Sequence, residues 1–319
     1  MTAVGSGIIS DQDPKTVTVN RLVGSELAMK RRFSLGCLFT LLIGAPAATI
    51  TQEVGPANGS LVVVGGGRLS SEIVDRFLRL AGGYDAPIVV IPTAGGGEHY
   101  DQYYAGLRGF KAAGATNLTV LHTTDPAVAN TATFVQPILE ARGVWFSGGR
   151  QWRLVDAYFG TKVHDELWAL LDRGGVIGGS SAGATIQGSY LARGDTATNT
   201  IMMGDHEAGL GFLRNVVIDQ HLLRRNRQFD LLEVIEAHPE LLGIGLDENT
   251  AIVVQGDEFE VIGASYAVIY EAERQLDSGG RFYFLAPGDH YNLKTREPTR
   301  PIQSEAPIDR VVEKPWTPR

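Results

Sequence analysis

The sequence predicts an α/β fold: a three-layer α/β/α sandwich with a mainly parallel central sheet and extra strands toward the C-terminus. Three observations carry this. Apolar runs of the buried-strand type alternate with amphipathic stretches from residue 59 onward. Glycine clusters close several of those runs, at the strand ends where sheets of this class meet their ligands. No internal repeat, low-complexity tract or linker marks a second domain. The composition agrees: 319 residues, 44% hydrophobic and 20% charged, suffice for a real core. A formal charge of −8 leaves no general basic field for a polyphosphate, which argues against nucleic-acid binding.

In order, LVVVGG (61–66) reads as a buried strand, SSEIVDRFLRLAG as a helix with a serine cap, and IVVIPTA (88–94) as a second strand. A helical stretch over 100–113 leads to LTVLH (118–122), then to the helical VQPILEA and the strand GVWFSGG (143–149). LVDAYFGTKVHDELWALLDRG reads as a long helix before the strand GGVIGGS. NVVIDQH, TAIVVQG, FEVIGAS, AVIYEA and RFYFLAPG follow as shorter strands, suited to added or antiparallel edges. The proline-rich tail, residues 296–319, reads as loosely attached.

The N-terminal end reads as an address. Met29-Lys30-Arg31-Arg32 is a positive start, residues 33–43 are mostly apolar, and Ala45-Pro46-Ala47 offers small residues for cleavage. This predicts a signal peptide over 29–47 and a secreted or periplasmic mature protein. The apolar run is too short for a membrane span, which takes ~20 residues, so no membrane association is expected after removal. Residues 1–28 are then an extension, or Met29 is the true start. Cys37, the single cysteine, lies in the removed segment, leaving the mature chain without thiols or disulfides.

Three glycine-bearing strand ends compete as the site. VVVGGGR (62–68) lacks the third glycine of a dinucleotide loop, since Ser70 stands in its place, and reads as a tight turn into a helix. The second, Phe146 to Gln151, has a backbone made pliable by paired glycines. In the third, Gly179-Ser180-Ser181-Ala182-Gly183 matches G-x-S-x-G centred on Ser181, where a strand gives way to a helix. A nucleophile on so sharp a turn needs small neighbours. The Ala182 amide would face a developing oxyanion, with Gly149 a second donor.

A serine hydroxyl needs a base. Of seven histidines, His99, His164 and His238 sit among charged residues; His122, His206 and His290 remain open. His221 is singled out because the apolar strand Asn215–Ile218 ends in Asp219-Gln220-His221, at the rim where Ser181 should emerge. Asp247 and Glu248, in GIGLDENTA, suggest a metal only weakly, lacking a histidine or further carboxylates. They are expected to orient loops instead.

FSGGRQ, GGSSAGA, GLGF followed by VVIDQHLLRRNR, and HPELLGIGLDENTA occur in that order. Over residues 59–295 the chain thereby resembles the cyanophycinase-like serine peptidases, relatives of aspartyl dipeptidase on the class I glutamine amidotransferase-like fold. The resemblance implies a Ser-His-acid hydrolase in which Ser181 attacks and His221 acts as base and then acid. It implies an oxyanion hole of Gly149 and Ala182, substrate contacts from Gln151, Gln220, Arg225 and Arg227, no metal or cofactor, and a homodimer. It places the acid in the loop after the nucleophile helix, where Asp195 is the nearest carboxylate and Asp205, Glu207 and Asp219 are alternatives. The family's type enzyme releases β-Asp-Arg dipeptides from cyanophycin, a polyaspartate bearing arginines. Arg150 stands where members often carry an acid or asparagine, and Asp230 where a third arginine falls. That charge reversal weighs against cyanophycin itself, while the guanidinium forks of Arg225 and Arg227 suit carboxylates. The expected substrates are therefore cyanophycin-like or short acidic or isopeptide-linked Asp-containing peptides. An esterase-type α/β-hydrolase and a noncatalytic peptide or amino-acid binding module are the alternatives.

Overall fold

A computed structural model of the chain describes residues 53–274 and 280–301. The signal-like segment with Cys37 and the chain beyond 301 lie outside the described residues. The alternating half comprises β1 (Ser60–Val64), α1 (Ser71–Leu80), β2 (Ile88–Ile91), α2 (Arg108–Ala112), β3 (Leu118–Val120), α3 (Pro126–Ala129), α4 (Ala132–Glu140), β4 (Gly143–Phe146), α5 (Trp152–Tyr158), α6 (Lys162–Asp172) and β5 (Val176–Ser180). There follow α7 (Ala182–Thr185), β6 (Gly188–Tyr190), β7 (Leu213–Gln220), α8 (Asp230–Ala237), β8 (Leu242–Leu246), β9 (Thr250–Gln255), β10 (Glu258–Gly263), β11 (Ala267–Tyr270), β12 (Phe282–Leu285), β13 (His290–Asn292) and β14 (Glu297–Thr299).

The larger sheet has nine strands in the order β14-β13-β10-β9-β1-β5-β4-β2-β3. From β1 to β3 its neighbours run parallel, and the C-terminal strands extend it antiparallel from β1. The remaining strands form a separate five-stranded sheet, β12-β11-β8-β7-β6, parallel from β6 to β8.

Period-two alternation explains how the layers stack. On β1, Val62 and Val64 pack with Ile73 and Phe77 of α1 and Phe110 of α2. Leu61 and Val63 face the other way, into one core with Leu167 of α6 and with Ile218, Ile244 and Ile269 of the smaller sheet. The smaller sheet therefore fills part of a layer that the sequence assigned to helices. Its far face, with Val217 and Val268, packs under α8.

Other departures have local causes. The helix expected over 100–113 shrinks to α2, after a short turn at Ala105–Leu107. The long helix expected before β5 breaks into α5 and α6, because Gly160 takes φ 68°. Ser70 stands at the α1 N-cap, yet its hydroxyl has no hydrogen-bond partner there. The start of the tail is not loose, since β14 pairs with β13.

Candidate active site

Ser181 is the turn between β5 and α7, with φ 58° and ψ −114°, a conformation costly for a residue with a Cβ. Its neighbours are small because the backbones touch. A Cβ on Gly179 would lie 2.1 Å from the Gly183 carbonyl oxygen, and one on Gly183 2.2 Å from that of Phe146. Ser180 still belongs to the strand, in register with Val64, so the turn presents Ser181.

His221 comes from the other sheet, at the end of β7. Its Nε2 lies 2.9 Å from Ser181 Oγ, and its Nδ1 lies 2.6 Å from Glu248 Oε1 in the β8–β9 connection. An ionised carboxylate only accepts, so Nδ1 carries the proton and Nε2 offers its lone pair to the serine. Burial pushes the His221 pKa down, and Arg225 and Arg227 add to this against the raising effect of Glu248. The imidazole is thus neutral at neutral pH.

The end of β1 aligns all of these. Successive carbonyls of Val64, Gly65 and Gly66 accept from the amides of Ser181 (3.0 Å), His221 (2.7 Å) and Asn249 (2.9 Å). Gly66, at φ 118°, lies under the imidazole, where a Cβ would come 2.4 Å from His221 Cε1. A Cβ on Gly67 would come 2.8 Å from Glu248 Oε2. VVVGGGR does turn into α1, and it also seats the histidine and the glutamate. The flanking acids and amides lock the connection: Asp247 Oδ1 accepts from the amides of Leu223 and Arg224, and Asn249 Oδ1 from that of Ser70.

The carboxylates expected to serve His221 lie elsewhere, and Glu248 stands where one of them was sought. Asp195 accepts from the amides of Ala197 and Thr198 in its own turn. Asp205 binds Thr196 and His206, and Glu207 accepts from Tyr190. Asp219, fully buried, takes a bidentate pair from Arg193. That arginine also reaches Asp230, which is how the reversed charge at this position is satisfied. Gln151 was expected to touch substrate but is 1% exposed, its amide donating to the carbonyls of Ala192 and Arg193. Arg150 braces the same loop through the carbonyls of Asp195 and Thr198.

Gln220 is at the site, its Oε1 3.5 Å from Ser181 Oγ. Arg227, mostly buried, holds Gln220 through its backbone carbonyl at 3.1 Å, while Arg225 is exposed. The amides of Ala182 and Gly149 have no acceptor among the described residues. Gly148 faces the serine: a Cβ there would lie 3.3 Å from Ser181 Cβ.

The model of peptidase family S51 matches residues 61–262. The chain belongs to peptidase family S51. It is 31% identical over 265 residues to a cyanophycinase of Geminocystis herdmanii, covering 75% of this chain and 95% of that protein. A cyanophycinase of Synechococcus elongatus is 29% identical over 274 residues, covering 79% of this chain and 84% of its own length. The crystal structure of a peptidase from an acI-B1 actinobacterium shares the fold, with a TM-score of 0.59 at 23% identity over 75% of this chain and 98% of that one. The chain is therefore a cyanophycinase-like, serine-type peptidase.

Beside the serine, this S51 chain opens a cleft of about 900 Å³ between α1, α2 and the carboxyl ends of the sheet, reaching Ser147, Gly148 and Ser180. Among the described residues no group of three or more His, Cys, Asp or Glu could hold a metal ion, and no helix is long and apolar enough to cross a membrane.

Proposed function

We propose that this S51 peptidase removes residues from the ends of short acidic or isopeptide-linked Asp-containing peptides, through an acyl-enzyme on Ser181. The observation that carries the reading is the chain of contacts from Ser181 Oγ to His221 Nε2 and from His221 Nδ1 to Glu248, at 2.9 and 2.6 Å. The strained turn at Ser181 and the likeness to cyanophycinases support it.

The course follows from these atoms. As Ser181 Oγ bonds to the scissile carbonyl carbon, its proton passes to His221 Nε2, and Glu248 stabilises the imidazolium. The oxyanion accepts from the amides of Ala182 and of Gly149 or its neighbour Gly148. Collapse breaks the C–N bond, and His221 returns the proton to the leaving amine. Water, deprotonated by the same nitrogen, then releases the acyl product.

Labelling by a fluorophosphonate probe tests this. Ser181→Ala and His221→Ala should abolish it and Ser180→Ala should retain it. Glu248→Gln should lower peptide turnover by about 10³-fold and Asp195→Asn should leave it unchanged. Labelling that survives Ser181→Ala would sink the assignment. We also propose export of the chain, on the strength of Met29-Lys30-Arg31-Arg32 and the apolar run behind it. Sequencing the amino terminus of exported protein should find a start just after Ala47, and retention in the cytoplasm would refute this.

A further inference from the structure

The wall of the cleft beside Ser181 carries charge of one sign. Its charged residues are Arg68 and Arg108, and no carboxylate lines it. Neither guanidinium has an ion-pair partner among the described residues; Arg108 reaches only the Ala105 carbonyl, at 3.3 Å. In a chain of formal charge −8, two unneutralised cations gathered in one concavity run against the general field. Outside the cleft, Arg193 is engaged by Asp219 and Asp230 and Arg227 by Gln220, while Arg225 is exposed and lines no part of this cleft. Within the cleft, Arg68 and Arg108 are the charges left for a ligand.

The cleft also reaches the residues beside Ser181. Gly148 and Ser180 line it, and a Cβ on Gly148 would lie 3.8 Å from Ser181 Oγ. A substrate acylating Ser181 thus has part of its length in or beside this space. Leu69, Val74, Phe110 and Trp145 give the wall an apolar portion, which lowers the local dielectric and strengthens a charge-assisted contact at the rim.

We propose that this cleft is a subsite for a carboxylate on the substrate, held by Arg68 and Arg108, and that it rejects substrates placing a basic side chain there. The proposal rests on the peptidase reading and sharpens it: the acid preference comes from the loop before α1 and the start of α2. A side-chain carboxylate and a C-terminal carboxylate offer the same chemistry, and the substrate series separates them.

The test uses peptides matched in length that carry Asp or Glu, the isosteric Asn or Gln, or Arg, each with a free or amidated C-terminus. The wild-type protein should favour the carboxylate, and side-chain against terminal amidation should show which one is read. Arg68→Gln and Arg108→Gln should each raise KM for the favoured acid roughly tenfold and leave the amide analogue unchanged. Arg68→Glu should shift the preference toward the Arg-bearing peptide. Equal kcat/KM for acid and amide in the wild type, or variants that slow both alike, would overturn the subsite. Titration calorimetry of the same peptides against Ser181→Ala protein reads the subsite without turnover. Acid-selective binding that weakens in Arg68→Gln supports it even if Ser181 fails to label, which would count against the peptidase reading alone. Binding indifferent to acid or amide overturns the subsite whatever the chemistry.

Discussion

Glu248 fixes the tautomer of His221, and burial fixes its charge. Protonated imidazole cannot take the Ser181 proton, so with His221 as the proposed base turnover should be lost as pH falls through its pKa, which burial holds below the ordinary value of about 6.5. The acid limb of kcat/KM should therefore lie below pH ~6.5. Glu248→Gln removes a raising influence, so that limb should move lower still while kcat drops; a pH–rate profile of both proteins checks this. The meeting of Ser181 and His221 was legible in the sequence because each sits in a local signature, a cramped elbow and a strand ending in polar residues. Glu248 was not. Its bond spans 27 residues, and nothing in GIGLDENTA distinguishes a carboxylate facing the imidazole from one facing a loop, as Asp247 does. Gln151 misled for the opposite reason, since a polar residue beside a glycine pair looks available until its burial is seen.

Among the elements, the glycine run after β1 governs the site most directly. Gly66→Ala puts a Cβ into the imidazole and demands φ 118°, which an L side chain resists by about 1–2 kcal/mol. The variant should keep its far-UV circular dichroism and lose at least tenfold in kcat with little change in KM, because what moves is the base. Normal turnover would show that the ring does not depend on this contact. The alternating half of the fold was legible because parallel strands buried on both faces read as continuous apolar runs. β8 was missed because Gly243 and Gly245 interrupt its pattern; they face Tyr270 and Leu222, where a Cβ would approach within 2.9 and 2.7 Å. The break between α5 and α6 was likewise hidden, because both helices present apolar residues to the same core.

At the scale of the molecule, Ser181 and His221 arrive on different sheets, and the core between them sets their separation. Ile218 is fully buried in that core, two residues before the glutamine at the serine. Ile218→Ala should cost about 2–5 kcal/mol in a urea titration. It should also lower kcat under conditions where the protein is still fully folded. Stability lost without any change in kcat would mean that the sheets keep their spacing by other contacts. No periodicity foretells which strands share a sheet, and that is why the second sheet escaped a reading that placed most of its strands. The three consecutive carbonyls at the end of β1 carry a last consequence. Ser181, His221 and the connection bearing Glu248 are hung from three consecutive carbonyls at and just past the end of β1, so refolding should bring them together only once that run is seated. Competence should return in a single kinetic phase, when that short run finds its place between β5 and β9.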